Sequence, residues 1–358
     1  MLKKTLVLLL ILTILSSIGF LIWIQNNRFS PEEISPIKNE NPQNQLLNYG
    51  DSLGILLWNI SYGGMPAQMD FFYSGGTKIR LGEKETQHNF QSILTNLQEL
   101  ADSTDVFLLH KVDTASKRSY HIQEYKEIQK ILPHYETAFC LNFSNPYIPV
   151  PLDKPIGPLY SGMLNLSKYH AQFYQRISLN NKEYSWPKRL FTAQKCVSLA
   201  SYPIGSKQFV ILNVHLNSYD YQGEIRLAQL AQIEKLADSL YQKGNYVLVA
   251  GGWNMSPPGF KKYRISYGYK GKPAYPEIDS STFFNRWKFE YDPKIPTSRS
   301  LKEAYRHGAI NTSIKDFFIC SPNMSILNTK TLDQKFQFSD HQAIYLRVLL
   351  LPGSLSSL

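Results

Sequence analysis

Four short apolar runs set what this chain can fold into. Residues 55–58 lead into Asn59, 106–109 into His110, 210–212 into Asn213 and His215, and 247–250 into Gly251-Gly252. A strand that is apolar at successive positions buries both faces, so these runs belong inside a layered structure. Further strands read over 137–141, 161–166, 172–177, 195–201, 315–320 and 342–350. Helical spacing separates them. Phe90, Ile93, Leu94, Leu97 and Leu100 line one face of a helix over 83–101. Residues 120–132 read as a second helix, stopped by Pro133, and 223–242 as a third. Many strands with few long helices predict an α+β fold, two packed sheets covered by helices.

The N-terminus is of another kind. Lys3 and Lys4 precede an uncharged, Leu- and Ile-rich run over 5–24. About 20 apolar residues are what a bilayer-spanning helix needs. Ser16, Ser17 and Gly19 offer small side chains, but the run continues beyond them through Ile24, which favours an uncleaved signal anchor. The positive-inside rule then puts Lys3 and Lys4 in the cytoplasm and the rest in the periplasm or outside the cell. Residues 26–52 are polar and hold Pro31, Pro36 and Pro42, which reads as a tether. The expected organisation is an anchor over 1–25, a tether over 26–52, one domain over 53–351 and a tail over 352–358.

The 38 basic and 28 acidic residues leave a formal charge of +10, which favours anionic partners. A phosphate-bearing ligand and an anionic membrane surface both fit, whereas nucleic acid is disfavoured as the partner in the cell. Residues 261–272 interleave Lys, Arg and Tyr and could grip a polyanion, though a solvated loop is the plainer reading. Cys140, Cys196 and Cys320 are far apart in sequence and odd in number, so neither a disulfide framework nor zinc spacing is legible.

Polar residues gather at the strand ends. In order they are Leu57-Trp58-Asn59, His110-Lys111-Val112-Asp113, Asn213-Val214-His215, Gly251-Gly252-Trp253-Asn254, Lys315-Asp316 and Ser339-Asp340-His341. This series resembles the endonuclease/exonuclease/phosphatase superfamily over nearly all of residues 53–351. Met69-Asp70-Phe71 and Ser116 to Tyr120 resemble its membrane-anchored bacterial branch. The resemblance implies a deoxyribonuclease-like fold: a four-layer α/β/β/α sandwich of two packed mixed sheets flanked by helices, here preceded by one transmembrane helix. It also implies metal-assisted phosphoester hydrolysis. Asn59 resembles the metal-proximal asparagine, Asn254 the phosphate-orienting one and His215 a phosphate-binding histidine. His341 resembles the transition-state histidine, Asp316 its orienting partner and Asp340 the second metal-site carboxylate. Tyr160 matches a phosphate-contacting tyrosine of some members.

Two positions depart from the pattern. The family's Gln-Glu pair, which supplies the principal metal carboxylate, reads His110-Lys111, and its Gly-Asp-x-Asn loop reads Gly251-Gly252-Trp253-Asn254. A unit charge repels another by about 4 kcal/mol at ~4 Å and an effective dielectric near 20, and a divalent ion feels roughly twice that. Loss of a general base costs roughly 10²–10⁴ in rate. The expectation is a membrane-tethered pseudoenzyme without a resident cofactor, its metal site reduced to Asn59 and Asp340, that keeps a cationic phosphate-binding cleft. The alternatives are an active phosphodiesterase or phosphatase, with Mg²⁺ or metal-free, and an envelope interaction protein that uses the scaffold alone.

Overall fold

A computed structural model of the chain describes residues 2–180, 184–218, 220, 223–260, 276–308 and 310–352. The basic and aromatic stretch 261–272 lies outside the described residues. The chain opens with α1 (Leu2–Asn27), β1 (Ile34–Ile37), β2 (Asn39–Glu40), β3 (Ser52–Asn59), α2 (Glu83–Leu100) and β4 (Val106–Asp113). It continues through α3 (Glu124–Ile131), β5 (Glu136–Ile148), β6 (Gly157–Ser167), β7 (Phe173–Ser178), β8 (Cys196–Ile204) and β9 (Lys207–His215). Then come α4 (Glu224–Tyr241), β10 (Tyr246–Gly252), β11 (Lys288–Glu290), β12 (Ser298–Arg299) and β13 (Thr312–Ser313). The last strands are β14 (Asp316–Cys320), β15 (Ser325–Thr331) and β16 (Ile344–Leu349).

Two seven-stranded sheets form, in the orders β1-β7-β8-β9-β10-β14-β11 and β15-β16-β3-β4-β6-β5-β2. Strand alternation decides what each face covers. Ile55, Leu57, Val106 and Leu108 meet Ile211, Leu248 and Phe318 between the sheets. Leu56, Trp58, Phe107 and Leu109 point the other way, under Phe90, Ile93 and Leu97 of α2 and Ile128 of α3. Val210, Leu212, Val247 and Val249 lie under Leu230, Ile233 and Ala237 of α4. This is the expected four-layer α/β/β/α sandwich. Both sheets are mixed: β3 runs parallel to β4 and β9 to β10, while their other pairings are antiparallel.

The register brings the strand-end residues to one rim. Asn59 pairs with His110 in one sheet. In the other, Gly252 pairs with His215 on one side and Asp316 on the other.

Part of the segment expected as a polar tether is strand-paired. Ile34–Ile37 adds an edge to β7 and Asn39–Glu40 an edge to β5, so this one stretch borders both sheets. Pro36 is compatible with this because an edge strand needs no donor on its outer side. The buried Glu136 carboxylate fastens the segment, accepting from Asn39 Nδ2 (3.1 Å) and the Gln43 amide (3.4 Å). The α1 helix is apolar and long enough to cross a membrane. Its last turns touch the domain: Phe20 meets Tyr147 edge-on and stacks on Phe191, and Ile24 is buried. The second helix is shorter than expected because Tyr120 and His121 take positive φ and keep the turn before Glu124 non-helical.

Candidate functional site

The rim holds a compact polar cluster. Asp316 Oδ2 lies 2.6 Å from His341 Nδ1, which fixes that imidazole with its Nε2 toward Asp340 Oδ2 at 3.8 Å. Two bonds hold the loop over 339–341 against β3. Ser339 Oγ donates to the Asn59 carbonyl (2.7 Å), and Trp58 Nε1 donates to the His341 carbonyl (3.1 Å). Ser61 Oγ is 2.5 Å from Asp340 Oδ1 and 3.1 Å from Asn59 Oδ1. The Lys111 ammonium donates to that same Ser61 Oγ at 3.4 Å.

A β-bulge aims Lys111 there. The ladder between β4 and β6 slips after His110, and Lys111 takes φ +51. Bulges turn a side chain away from its regular face, and left-handed backbone costs a non-glycine residue about 1–2 kcal/mol. Ser61, Tyr62 and Asn254 share positive φ, so backbone strain collects at this rim.

The charges are mutually dependent. Burial works against ionisation of Asp340. Lys111, His341 and the Ser61 hydroxyl outweigh it and hold the carboxyl well below the usual range. Burial likewise opposes ionisation of Asp316, and His341 and Lys315 overcome it. Burial lowers Lys111, with Asp340 pulling the other way. Lys195 is pushed down to about 7 by burial and then by Lys111.

His110 and His215 stack with centroids 5.1 Å apart and rings 8° from parallel. Burial lowers both, His110 to about 4, and the neighbouring Lys195 lowers His215 further. A chain of amides assigns the His110 tautomer. Asn165 Nδ2 donates to Ser198 Oγ, Asn213 Nδ2 donates to Asn165 Oδ1, and Asn213 Oδ1 therefore accepts from His110 Nε2 at 2.6 Å. The bare lone pair of His110 is on Nδ1, which has no partner among the described residues, as is true of Asp316 Oδ1 and Asn59 Nδ2.

Gly252 faces these atoms. A Cβ there would lie 2.9 Å from His215 Cδ2, 3.2 Å from His110 Nδ1 and 3.3 Å from Asp316 Oδ1. The two imidazoles thus crowd the place where an aspartate side chain would start.

Among the residues expected at the site, Asn59, Lys111, His215, Gly252, Asp316, Asp340 and His341 come together. Asn254 stands beside them, its amide protons on the Leu216 carbonyl (3.0 Å) and Ser218 Oγ (3.3 Å), so it clamps the loop after β9. Tyr160 is not joined to the cluster by any hydrogen bond among the described residues, and its backbone bonds to Ser116 and Thr114. Ser61 and Lys195 were not singled out in the sequence, and Asn213 and Lys315, present in its strand-end motifs, were given no role. Asn213 carried a signal, being a polar residue inside an otherwise apolar strand.

An endonuclease/exonuclease/phosphatase from Beutenbergia cavernae is similar to this chain over 85% of its length and 73% of the other, with a TM-score of 0.59. The chain has the endonuclease/exonuclease/phosphatase fold. A protein of this fold from Bacteroides vulgatus aligns over 84% of this chain and 99% of its own (TM-score 0.51, 12% identity). Truncated TDP2 from Caenorhabditis elegans aligns over the same shares at 0.51 and 14% identity, the identity also found with the Beutenbergia protein. At such identities the likeness concerns fold alone. No family model and no curated protein matches the chain.

The residues on this endonuclease/exonuclease/phosphatase fold do not fit a bound Mg²⁺. That ion needs several hard oxygen donors in near-octahedral order. Here Asn59 Oδ1 already accepts from the Ser61 amide, Asp340 Oδ1 from the Ser61 hydroxyl, and a fixed ammonium stands behind both. Among the described residues no group of three or more His, Cys, Asp or Glu side chains is placed to hold a metal ion.

Proposed function

We propose that the chain is a membrane-tethered, catalytically impaired member of the endonuclease/exonuclease/phosphatase family that holds a phosphate-bearing ligand in a cationic cleft. The observation that carries this reading is Lys111, whose ammonium sits 3.4 Å from the Ser61 hydroxyl bound to Asp340. A cation built into the chain replaces the countercharge an ion would bring. Lys111 and His341 Nε2 would meet the oxygens of a phosphate, and the unpartnered Asn59 Nδ2 offers a further donor. Impairment follows from the other side of the cleft. The lone pair facing Gly252 belongs to His110, whose proton affinity near pKa 4 makes it a poor base at neutral pH. Membrane tethering rests on α1, with Lys3 and Lys4 in the cytoplasm and the domain in the periplasm or outside.

The test is made on the full chain in neutral detergent. Generic phosphodiester and monoester hydrolysis are assayed with Mg²⁺ and Mn²⁺, and phosphate binding is measured by calorimetry. The expected outcome is no metal-dependent turnover, with phosphate bound and binding lost in Lys111→Glu. Robust Mg²⁺-dependent turnover abolished by His341→Ala would contradict the reading. It would favour the second one, an active phosphoesterase, which the intact Asp316–His341 pair supports.

A further inference from the structure

A cavity of about 500 Å³ opens where α1 ends, and it shares Lys195 with the cleft. Arg28, Arg176, Arg189 and Lys195 line it, with Ser178 and Gln194. No Asp or Glu is among its lining residues as far as the described residues go. Arg176 is buried, and its guanidinium donates to neutral acceptors: the Leu141 carbonyl (3.2 Å), Ser178 Oγ (2.6 Å) and the Gln194 carbonyl (2.8 Å). Arg28 donates to the Arg189 carbonyl (3.1 Å), while its Nε is buried without a partner among the described residues. Glu32 and Glu33 follow on the chain, but both are exposed and neither forms an ion pair with these guanidinium groups among the described residues. Arg176 and Lys195 are buried, Arg28 half-buried, and a charge held out of water is stabilised when an opposite charge joins it. A planar guanidinium suits phosphate oxygens best.

The surroundings say where such an anion comes from. Arg28 lies one residue beyond α1, so the cavity stands at the foot of the apolar helix. The same end of the domain exposes large apolar side chains. Leu152, in the turn between β5 and β6, is 86% exposed, and Trp186, five residues before the Phe191 that stacks on Phe20, is 55% exposed. Trp and apolar side chains around a basic site are what a membrane interface receives.

We propose that this cavity binds the phosphate headgroup of an anionic membrane lipid and so seats the domain against the bilayer. The proposal rests on α1 lying in the membrane, and the two are tested apart. Flotation of the full chain on neutral phosphatidylcholine vesicles reads the anchor alone. For the cavity, the full chain in neutral detergent is titrated with soluble short-chain phosphatidylglycerol, short-chain phosphatidylcholine or inorganic phosphate, following thermal unfolding. Phosphatidylglycerol is expected to raise the unfolding temperature saturably, with phosphatidylcholine about tenfold weaker. Arg28→Gln/Arg189→Gln should weaken the phosphatidylglycerol effect by about tenfold or more. Should the double variant not fold, Arg189→Gln alone serves, because its side chain is exposed. Equal effects of the two lipids, or an effect that survives both Arg variants, overturn the proposal. An effect of inorganic phosphate equal to that of phosphatidylglycerol, and lost together with it in the Arg variants, assigns the cavity to a free anion and overturns the lipid.

Discussion

Gly252 and the imidazoles of His110 and His215 share one tight space. An aspartate at 252 would begin 2.9 Å from His215 Cδ2 and 3.2 Å from His110 Nδ1, with its carboxylate beside the bare Asp316 Oδ1. Overpacking of a tight site costs about 1–3 kcal/mol, and a second carboxylate adds repulsion. Gly252→Asp alone should therefore destabilise the chain by about 1–3 kcal/mol in denaturant unfolding. Introducing at the same time the Gln-Glu pair and the aspartate that the resemblance implies, His110→Gln/Lys111→Glu/Gly252→Asp, should recover part of that loss and confer Mg²⁺ binding. A single variant as stable as the parent would show that the histidine stack does not fill this space. Lys111 and Gly252 were singled out in sequence by the residues that flank them. The stack was not, since nothing in the order of residues says that His110 reaches across to Asn213 in the opposite sheet.

Elements whose apolar pattern was strong were found in sequence, and weak ones were not. The four runs at β3, β4, β9 and β10 are buried on both faces, so composition alone marks them. Strands β1 and β2 lie at sheet edges among prolines and charges, where a strand needs only one paired side. Their stability comes from tertiary contacts: Ile37 packs on the inter-sheet core and beside Cys140, Met163 and Cys196. The two thiols, 56 residues apart in sequence, come within 3.5 Å for the same reason, each borne by a different sheet. Residues 34–37 and 39–40 are thus edge strands of the two sheets. Ile37→Asp should cost about 1–2 kcal/mol, somewhat less than full burial of an isoleucine is worth. A chain starting at residue 53 should show faster amide exchange along Phe173–Ser178, the strand that β1 covers. Unchanged exchange there would return the segment to the status of a loose tether.

Across the whole molecule, the buried site ties stability and ligand binding to pH in opposite directions. His110 and His215 titrate near 6.5 when unfolded and lower when folded, His110 at about 4. The unfolded chain therefore takes up more protons below about 6.5, and stability falls as pH drops from there toward 4. Lys195 titrates at about 7 when folded and near 10.5 when unfolded. Between those values the unfolded chain again holds more protons, so the Lys195 contribution rises with pH from about 7 to about 10.5. The unliganded chain should grow more stable from mildly acidic to alkaline conditions, until the general effects of high pH intervene. Anion binding runs the other way, because Lys195 loses its charge as pH passes 7 and the field around Lys111 and His215 weakens with it. Thermal unfolding of the parent and Lys195→Met from pH 6 to 9.5 separates the two. The parent should gain stability above pH 7, and the variant should lose most of that slope, the lowered Lys111 holding the rest. Phosphate should bind the parent more tightly at pH 6 than at pH 8 and the variant with less difference. A slope undiminished in Lys195→Met would place the titration on another group and remove Lys195 from the cleft's charge.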